Sequence, residues 1–216
     1  MVRYALAAED KEARRDAILV AARALFLRDP EKLPSAAAIA TEAGLAKGTV
    51  YLYFATKEEI FMDLLHVERV AMMARIREAF AADSRTVDAK IDAFITDYVA
   101  HVTARPDISK LESLGYSVLE RNIEQDRLRA YKQELGSALA GAGTVVEAAL
   151  GLAEGEGARV LVHSYALTQG LWQALDIPPD CLEMMGDAAV AFTSLDFATE
   201  LKVSLDRYWR GLRFHA

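Results

Sequence analysis

The sequence predicts an all-α protein of about nine helices, because apolar residues recur at helical spacing while β-branched alternating runs are missing. Two further observations agree. Ala supplies 39 of the 216 residues, with Leu, Glu, Arg and Lys plentiful, and these residues cost a helix least. Only five prolines occur, at 30, 34, 106, 178 and 179, which leaves the stretches 35–105 and 107–177 without any. At 53% apolar the chain is no disordered polymer and is long enough to bury a substantial core. No stretch approaches the ~20 consecutive apolar residues of a membrane span, so no membrane partner is expected. Met1 to Lys11 lacks the apolar core and cleavage signature of an export leader. The lone Cys181 has no partner for an internal disulfide, so the expected address is cytoplasmic and the thiol a small, partly buried apolar group.

The elements follow in order. The first helix, residues 10–28, carries Ile18, Ala22, Leu25 and Phe26 as one stripe and stops at Asp29-Pro30. Leu33 to Lys57 then reads as two short helices around a tight turn. Ser35 caps the first, residues 35–43, Ile39 anchors it, and Ala36, Ala40 and Ala43 let another helix cross closely. Gly44 supplies the left-handed residue that ends it, and Leu45 fills the space beneath the turn. The second helix covers 47–54. Thr56-Lys57-Glu58-Glu59 fits a capping box and opens a long helix bearing Phe61, Leu65, Met72 and Ile76.

Ile91, Phe94, Ile95, Tyr98, Val99 and Val102 form the cleanest apolar stripe, closed by Arg105-Pro106, after which Ser109-x-x-Glu112 is expected to open the next helix. Six of the twelve glycines fall between Gly136 and Gly157, as in a helix that a neighbour approaches closely, followed by a turn at 154–157. Gly141-Ala-Gly143 is no phosphate loop, since no strand precedes it and no Lys-Ser/Thr follows. Leu161, Tyr165, Thr168 and Trp172 align on one late helix, and Leu201, Leu205, Tyr208 and Leu212 on the last.

A formal charge of -7 argues against a protein that coats nucleic acid non-specifically, because such binding rests on many cations facing phosphates. Its distribution says more. The first 65 residues hold 9 Lys and Arg against 10 Asp and Glu, and the remainder 16 against 22. From Ala43 to Lys57 there are two Lys and no acid. Residues placed 100° apart put Val50 and Phe54 on the buried face of the second short helix, with Gly48, Thr49 and Leu52 opposite and Tyr53 on the flank. That is the geometry of a helix-turn-helix, whose second helix enters the major groove of duplex DNA. Lys47, Tyr51, Tyr53 and Lys57 would reach phosphates, and Ser35 belongs to the same candidate surface. Thr49 and Leu52 would meet base edges, the leucine only a thymine methyl, and Gly48 would let the backbone approach. Arg23 and Arg28 read as ordinary solvated charges, Arg3 and Lys11 as an arm towards the DNA backbone.

The run from Gly44 to Ile60, GLAKGTVYLYFATKEEI, resembles the signature of TetR-family transcriptional regulators, and the helix ending in Leu25-Phe26 fits that family's first helix. The resemblance covers roughly residues 10–65. It departs from the usual pattern at Ala46, where a capping Ser or Thr is common, at Thr41, and at the apolar Leu52. It implies a three-helix DNA-binding domain over 1–57 and a larger helical effector-binding and dimerisation domain over 58–216. It further implies a homodimer on a double-stranded, near-palindromic operator, acting as a repressor that a small apolar or aromatic effector releases.

Within the second domain, aromatic and polar groups set among apolar ones make Phe94, Tyr98, His101, Tyr116, Asn122, Tyr165, Gln169 and Trp172 the candidate effector contacts. Leu161, Thr168, Leu201, Leu205, Tyr208 and Leu212 match the family's dimer helices in position, although the stripes alone read equally as the core of a monomer. No cofactor is expected. His66, His101, His163 and His215 are far apart with no ligand partner at i+4, so no metal site is expected either. No Glu-x-x-His or clustered nucleophile and base marks an enzyme. A regulator without an effector, or a helical adaptor that ignores DNA, remain the alternatives.

Overall fold

A computed structural model describes the backbone of residues 2–30, 32–81 and 85–212, with the side chains of all of these except 2–9, 116, 179, 188, 189, 191 and 192. The side chains of Arg3 and Tyr116, and all of His215, therefore lie outside the described residues. No strand occurs among the described residues, and eleven α-helices do. These are α1 (Val2–Arg28), α2 (Ala36–Glu42), α3 (Lys47–Tyr51), α4 (Lys57–Phe80), α5 (Val87–Thr103) and α6 (Pro106–Leu114), then α7 (Gln125–Leu150), α8 (Glu156–Leu175), α9 (Pro179–Met185), α10 (Val190–Thr193) and α11 (Phe197–Gly211). A π-turn at Gly115–Leu119 and a 3-10 turn at Glu120–Asn122 link α6 to α7. The count exceeds nine because residues 179–193 break into short pieces. α6 starts at Pro106 rather than Ser109. A proline fits the first turn of a helix, where no N–H is needed, so Ser109 and Glu112 fall inside α6 and both are buried.

The chain forms two compact units, Met1–Glu68 with Lys110–Lys132, and Arg69–Ser109 with Gln133–Ala216. In the first, Ile18, Ala22 and Phe26 of α1 are fully buried with Ile39 of α2, Val50 of α3 and Phe61 of α4. The Phe26 and Phe61 rings meet at 5.7 Å. Each of these Ile, Val and Phe side chains stabilises the fold by about 1.5–3 kcal/mol when removed from water. Leu111, Leu119, Ile123 and Tyr131 of the downstream segment are buried too.

The core of the second unit is aromatic. Trp209 of α11 is fully enclosed, stacked on Phe80 at 5.3 Å and tilted against Phe94 at 4.7 Å. Its indole Nε1 donates to Ser164 Oγ at 3.0 Å, which satisfies the one polar group of a buried ring. α11 packs on both α5 and α8.

α7 and α8 meet where the glycines cluster. A Cβ built on Gly157 would stand 2.1 Å from the Gly143 carbonyl oxygen, and one on Gly143 would stand 2.6 Å from Ala158 N. The Glu147 carboxylate then accepts from the amides of Gly155 at 2.8 Å and Gly157 at 3.0 Å, closing the turn between the helices. Gly157→Ala should therefore lower unfolding stability by about 1–3 kcal/mol through overpacking. Gly141→Ala, in open space two residues before Gly143, should raise it by about 0.5–1 kcal/mol through helix propensity. Urea denaturation of the two variants beside the wild type measures both.

Candidate nucleic-acid interface

The reading element is built from local rules. Ser35 Oγ accepts from Ala38 N at 3.2 Å and starts α2. α2 ends on Gly44 at φ 67, with Gly44 N bonded to Thr41 O at 3.1 Å and Leu45 N to Ala40 O at 2.9 Å. This pair of bonds around a left-handed residue is the Schellman stop. Ala46 then precedes α3 and offers no side-chain cap. α3 is regular only through Tyr51, and Leu52 to Phe54 continue as a turn bonded back to Thr49 and Val50.

The two faces separate as the spacing requires. Val50 and Phe54 are buried, whereas Leu52 is 80% and Tyr51 49% exposed. Lys47 and Gly48 are also exposed, and Thr49 and Tyr53 are half-buried. Lys47 Nζ lies 5.9 Å from the centroid of the Tyr51 ring, so cation and aromatic share one edge of the face. Lys57 is half-buried, with Nζ 3.9 Å from Glu58. Arg28 pairs with Glu42 at 2.7 Å, a surface contact between α1 and α2.

Behind this face lies a polar cluster that the sequence reading missed. Asp63 of α4, only 1% exposed, receives Arg15 from α1 and the Tyr131 hydroxyl from α7, with Arg127 Nη2 at 3.5 Å. Arg127 Nε also reaches Tyr131 OH at 3.0 Å and Glu59 Oε1 at 2.9 Å. Burial, aided by the Asp63 carboxylate, pushes the Tyr131 phenol well above its ordinary range. Burial opposes the Arg127 charge, but the Tyr131 hydrogen bond and the charges around it hold that guanidinium above its usual value. The signal in the sequence was an acid inside the apolar run Ile60-Phe61-Met62-Asp63-Leu64-Leu65.

The candidate effector residues fall differently. Phe94 and Tyr98 sit in the aromatic core of the second unit, their rings 5.5 Å apart. Tyr98 OH lies 2.9 Å from Thr168 Oγ1, which itself donates to Ser164 O, so the phenol is the donor to Thr168. Trp172 stands edge-on to Phe197 at 5.2 Å. His101 and Tyr165 are half-buried. Gln169 Oε1 is buried with no hydrogen-bond partner. Asn122 belongs to the first unit, exposed, with Nδ2 donating to Val118 O at 2.7 Å.

Of the residues assigned to a dimer surface, Leu161, Thr168, Leu201 and Leu205 are enclosed within the protomer, because α5, α8 and α11 turn these stripes towards one another. Tyr208 and Leu212 keep partial exposure. Beside them runs an apolar groove of about 550 Å³, lined by His163, Ala166, Leu167, Gly170, Leu171 and Tyr208. His163 Nδ1 and Tyr208 OH are 2.8 Å apart across it.

A capped helix, a glycine stop and a short helix with an acid-free outer face are thus held on a buried core. Residues 18–64 match the family model described as bacterial regulatory proteins, tetR family, and residues 67–216 match that of the tetracyclin repressor-like C-terminal domain. The chain belongs to the TetR family. Solved TetR structures share its fold along nearly the whole length. A possible TetR regulator from Streptomyces coelicolor A3(2) gives a TM-score of 0.61 at 18% identity, covering 94% of this chain and 100% of its own. The Thermus thermophilus repressor FadR, solved with lauroyl-CoA, gives 0.58 at 20% identity, covering 92% and 94%. FadR from Bacillus subtilis, solved with stearoyl-CoA, gives 0.54 at 18% identity, covering 89% and 96%. No curated protein matches the sequence. This TetR-family chain therefore carries a helix-turn-helix domain of the DNA-binding type and a helical ligand-binding domain, and no described helix is long and apolar enough to cross a membrane.

The raised Tyr131 phenol makes a linkage statement. A proton held more tightly in the fold stabilises it below the unfolded pKa of about 10, and that contribution is lost as pH rises through the folded value. In an alkaline absorbance titration the Tyr131 phenol should ionise only as the fold opens. Tyr131→Phe should reduce the amplitude of that late step by one phenol.

Proposed function

We propose that this TetR-family regulator is a dimeric repressor, not an enzyme, that binds a near-palindromic operator and is released by a small apolar or aromatic effector. The observation that carries DNA binding is the outer face of α3. Lys47, Gly48, Tyr51 and Leu52 stand exposed with Thr49 beside them, and no acidic residue interrupts Ala43 to Lys57. Ser35, Tyr53 and Lys57 extend that surface towards phosphates. The acidic excess of residues 66–216 disfavours loose contact with DNA elsewhere, which suits a cytoplasmic regulator that reads a short site. In the proposed division, residues 1–57 bind DNA and 58–216 bind effector and partner.

Selecting duplexes from a random pool should yield a near-palindromic site whose affinity falls steeply with salt. Lys47→Ala with Lys57→Ala should flatten the log–log salt slope by about 1 for each phosphate contact removed. Recovery of no preferred duplex would remove the reading. The buried, unpartnered Gln169 Oε1 on the helix that also carries Tyr165 and Trp172 supports an effector with one polar group and a large apolar body. Long-chain acyl-CoAs, which the Thermus and Bacillus neighbours hold, are the first compounds to add to the operator complex.

The dimer is assigned to the groove on α8 and α11, where exposed Val162 and the His163–Tyr208 pair border Leu167, Gly170 and Leu171. Light scattering should give twice the chain mass at micromolar concentration for the wild type and a monomer for Gly170→Arg. A wild-type monomer would contradict the assignment.

A further inference from the structure

α3 has five residues and a single buried anchor, Val50, so its orientation depends on what holds its two ends. The entry is fixed by the Gly44 turn. The exit, residues 54–56, is held at three consecutive positions by three different parts of the first unit. The Arg15 guanidinium lies 5.8 Å over the Phe54 ring. Ala55 N donates to Glu59 Oε2 at 2.7 Å, and Thr56 Oγ1 donates to Asn122 O at 3.2 Å. Arg127 grips the other Glu59 oxygen, and with Tyr131 it satisfies the Asp63 carboxylate that also holds Arg15.

We propose that Arg127 and Tyr131 are positioning residues of the DNA-binding surface: through Glu59 and Asp63 they fix the chain leaving α3, and with it the angle at which Thr49, Tyr51 and Leu52 are presented. The inference rests on the DNA-binding reading above. Neither residue touches DNA in this role. Arg127 is 38% exposed at its side chain, where an ion pair contributes little to stability, so its value lies in where it holds Glu59. Asp63 cannot turn to water, so loss of either donor is answered by movement of α4, which holds Ala55 through Glu59, or of the Arg15 side chain, which lies over Phe54.

Positioning has a signature that folding and net charge lack, since it affects the operator and spares DNA of random sequence. Full-length wild type, Arg127→Ala, Arg127→Lys and Tyr131→Phe are each titrated against the selected operator and against a random duplex, after urea denaturation confirms that each is folded. Tyr131→Phe, which changes no charge, should lose about tenfold on the operator, equivalent to about 1.4 kcal/mol. It should hold within about twofold on the random duplex, where register does not matter. Arg127→Lys, which keeps the charge but loses the planar fork, should also lose operator affinity selectively. The double variant Arg127→Ala with Tyr131→Phe should lose less than the sum of its parts, as members of one network do. If Arg127→Ala does not fold, the lysine and phenylalanine variants carry the test. Equal weakening on both duplexes, or full operator affinity in both conservative variants, overturns the inference while leaving DNA binding intact. A wild type that prefers no duplex overturns the DNA-binding reading and this inference with it.

Discussion

A carboxylate sealed in an apolar interior costs several kcal/mol unless donors replace its water, and Asp63 sets that condition for the whole first unit. Its own helix cannot meet the condition. Arg15 arrives from α1 and Tyr131 and Arg127 from α7, so residues 110–132 must dock on residues 1–68 before the acid is satisfied. The apolar contacts of Phe26, Phe54 and Phe61 would tolerate some sliding, whereas a hydrogen-bonded charge does not. The helix-turn-helix is consequently part of a body completed by a distant stretch of sequence.

The second unit solves a different problem by different means. Its core is filled by rings, with Phe80, Phe94, Tyr98 and Trp209 in contact, and the polar atoms of those rings are met singly, the indole N–H by Ser164 and the phenol by Thr168. Close approach of α7 and α8 through Gly143 and Gly157 gives one rigid seam. By contrast the buried Gln169 side-chain carbonyl has no hydrogen-bond partner among the described residues.

Local chemistry was legible in the sequence. Ser35, Gly44, Thr56 with Glu59, and the α5 stripe each announce a bond or a face formed within a few residues, and each forms. Periodicity tells which side of a helix is apolar but not what covers it. The stripes of Leu161, Leu201 and Leu205 therefore fit a dimer face and a core equally, and α5, α8 and α11 enclose them together. Trp209 escaped notice for the same reason: the innermost line of α11 is Leu201, Leu205 and Trp209, one position round from the line through Tyr208 and Leu212. Asp63 and Tyr131 are far apart in sequence, and no spacing rule connects them.

Leu52 is the least economical residue on the proposed reading face, a branched hydrocarbon standing in water on the free protein. Cations on that face lose their grip on phosphates as ions accumulate, but the attraction of a leucine for a thymine methyl is not screened. On DNA the two kinds of contact would respond to the medium in opposite proportion. Rising salt would strip away the sequence-blind part of binding first and leave a larger share of the remainder to the leucine. The chain would then hold DNA less tightly and choose among sites more strictly, with the heat-capacity loss that accompanies desolvation of an aliphatic side chain.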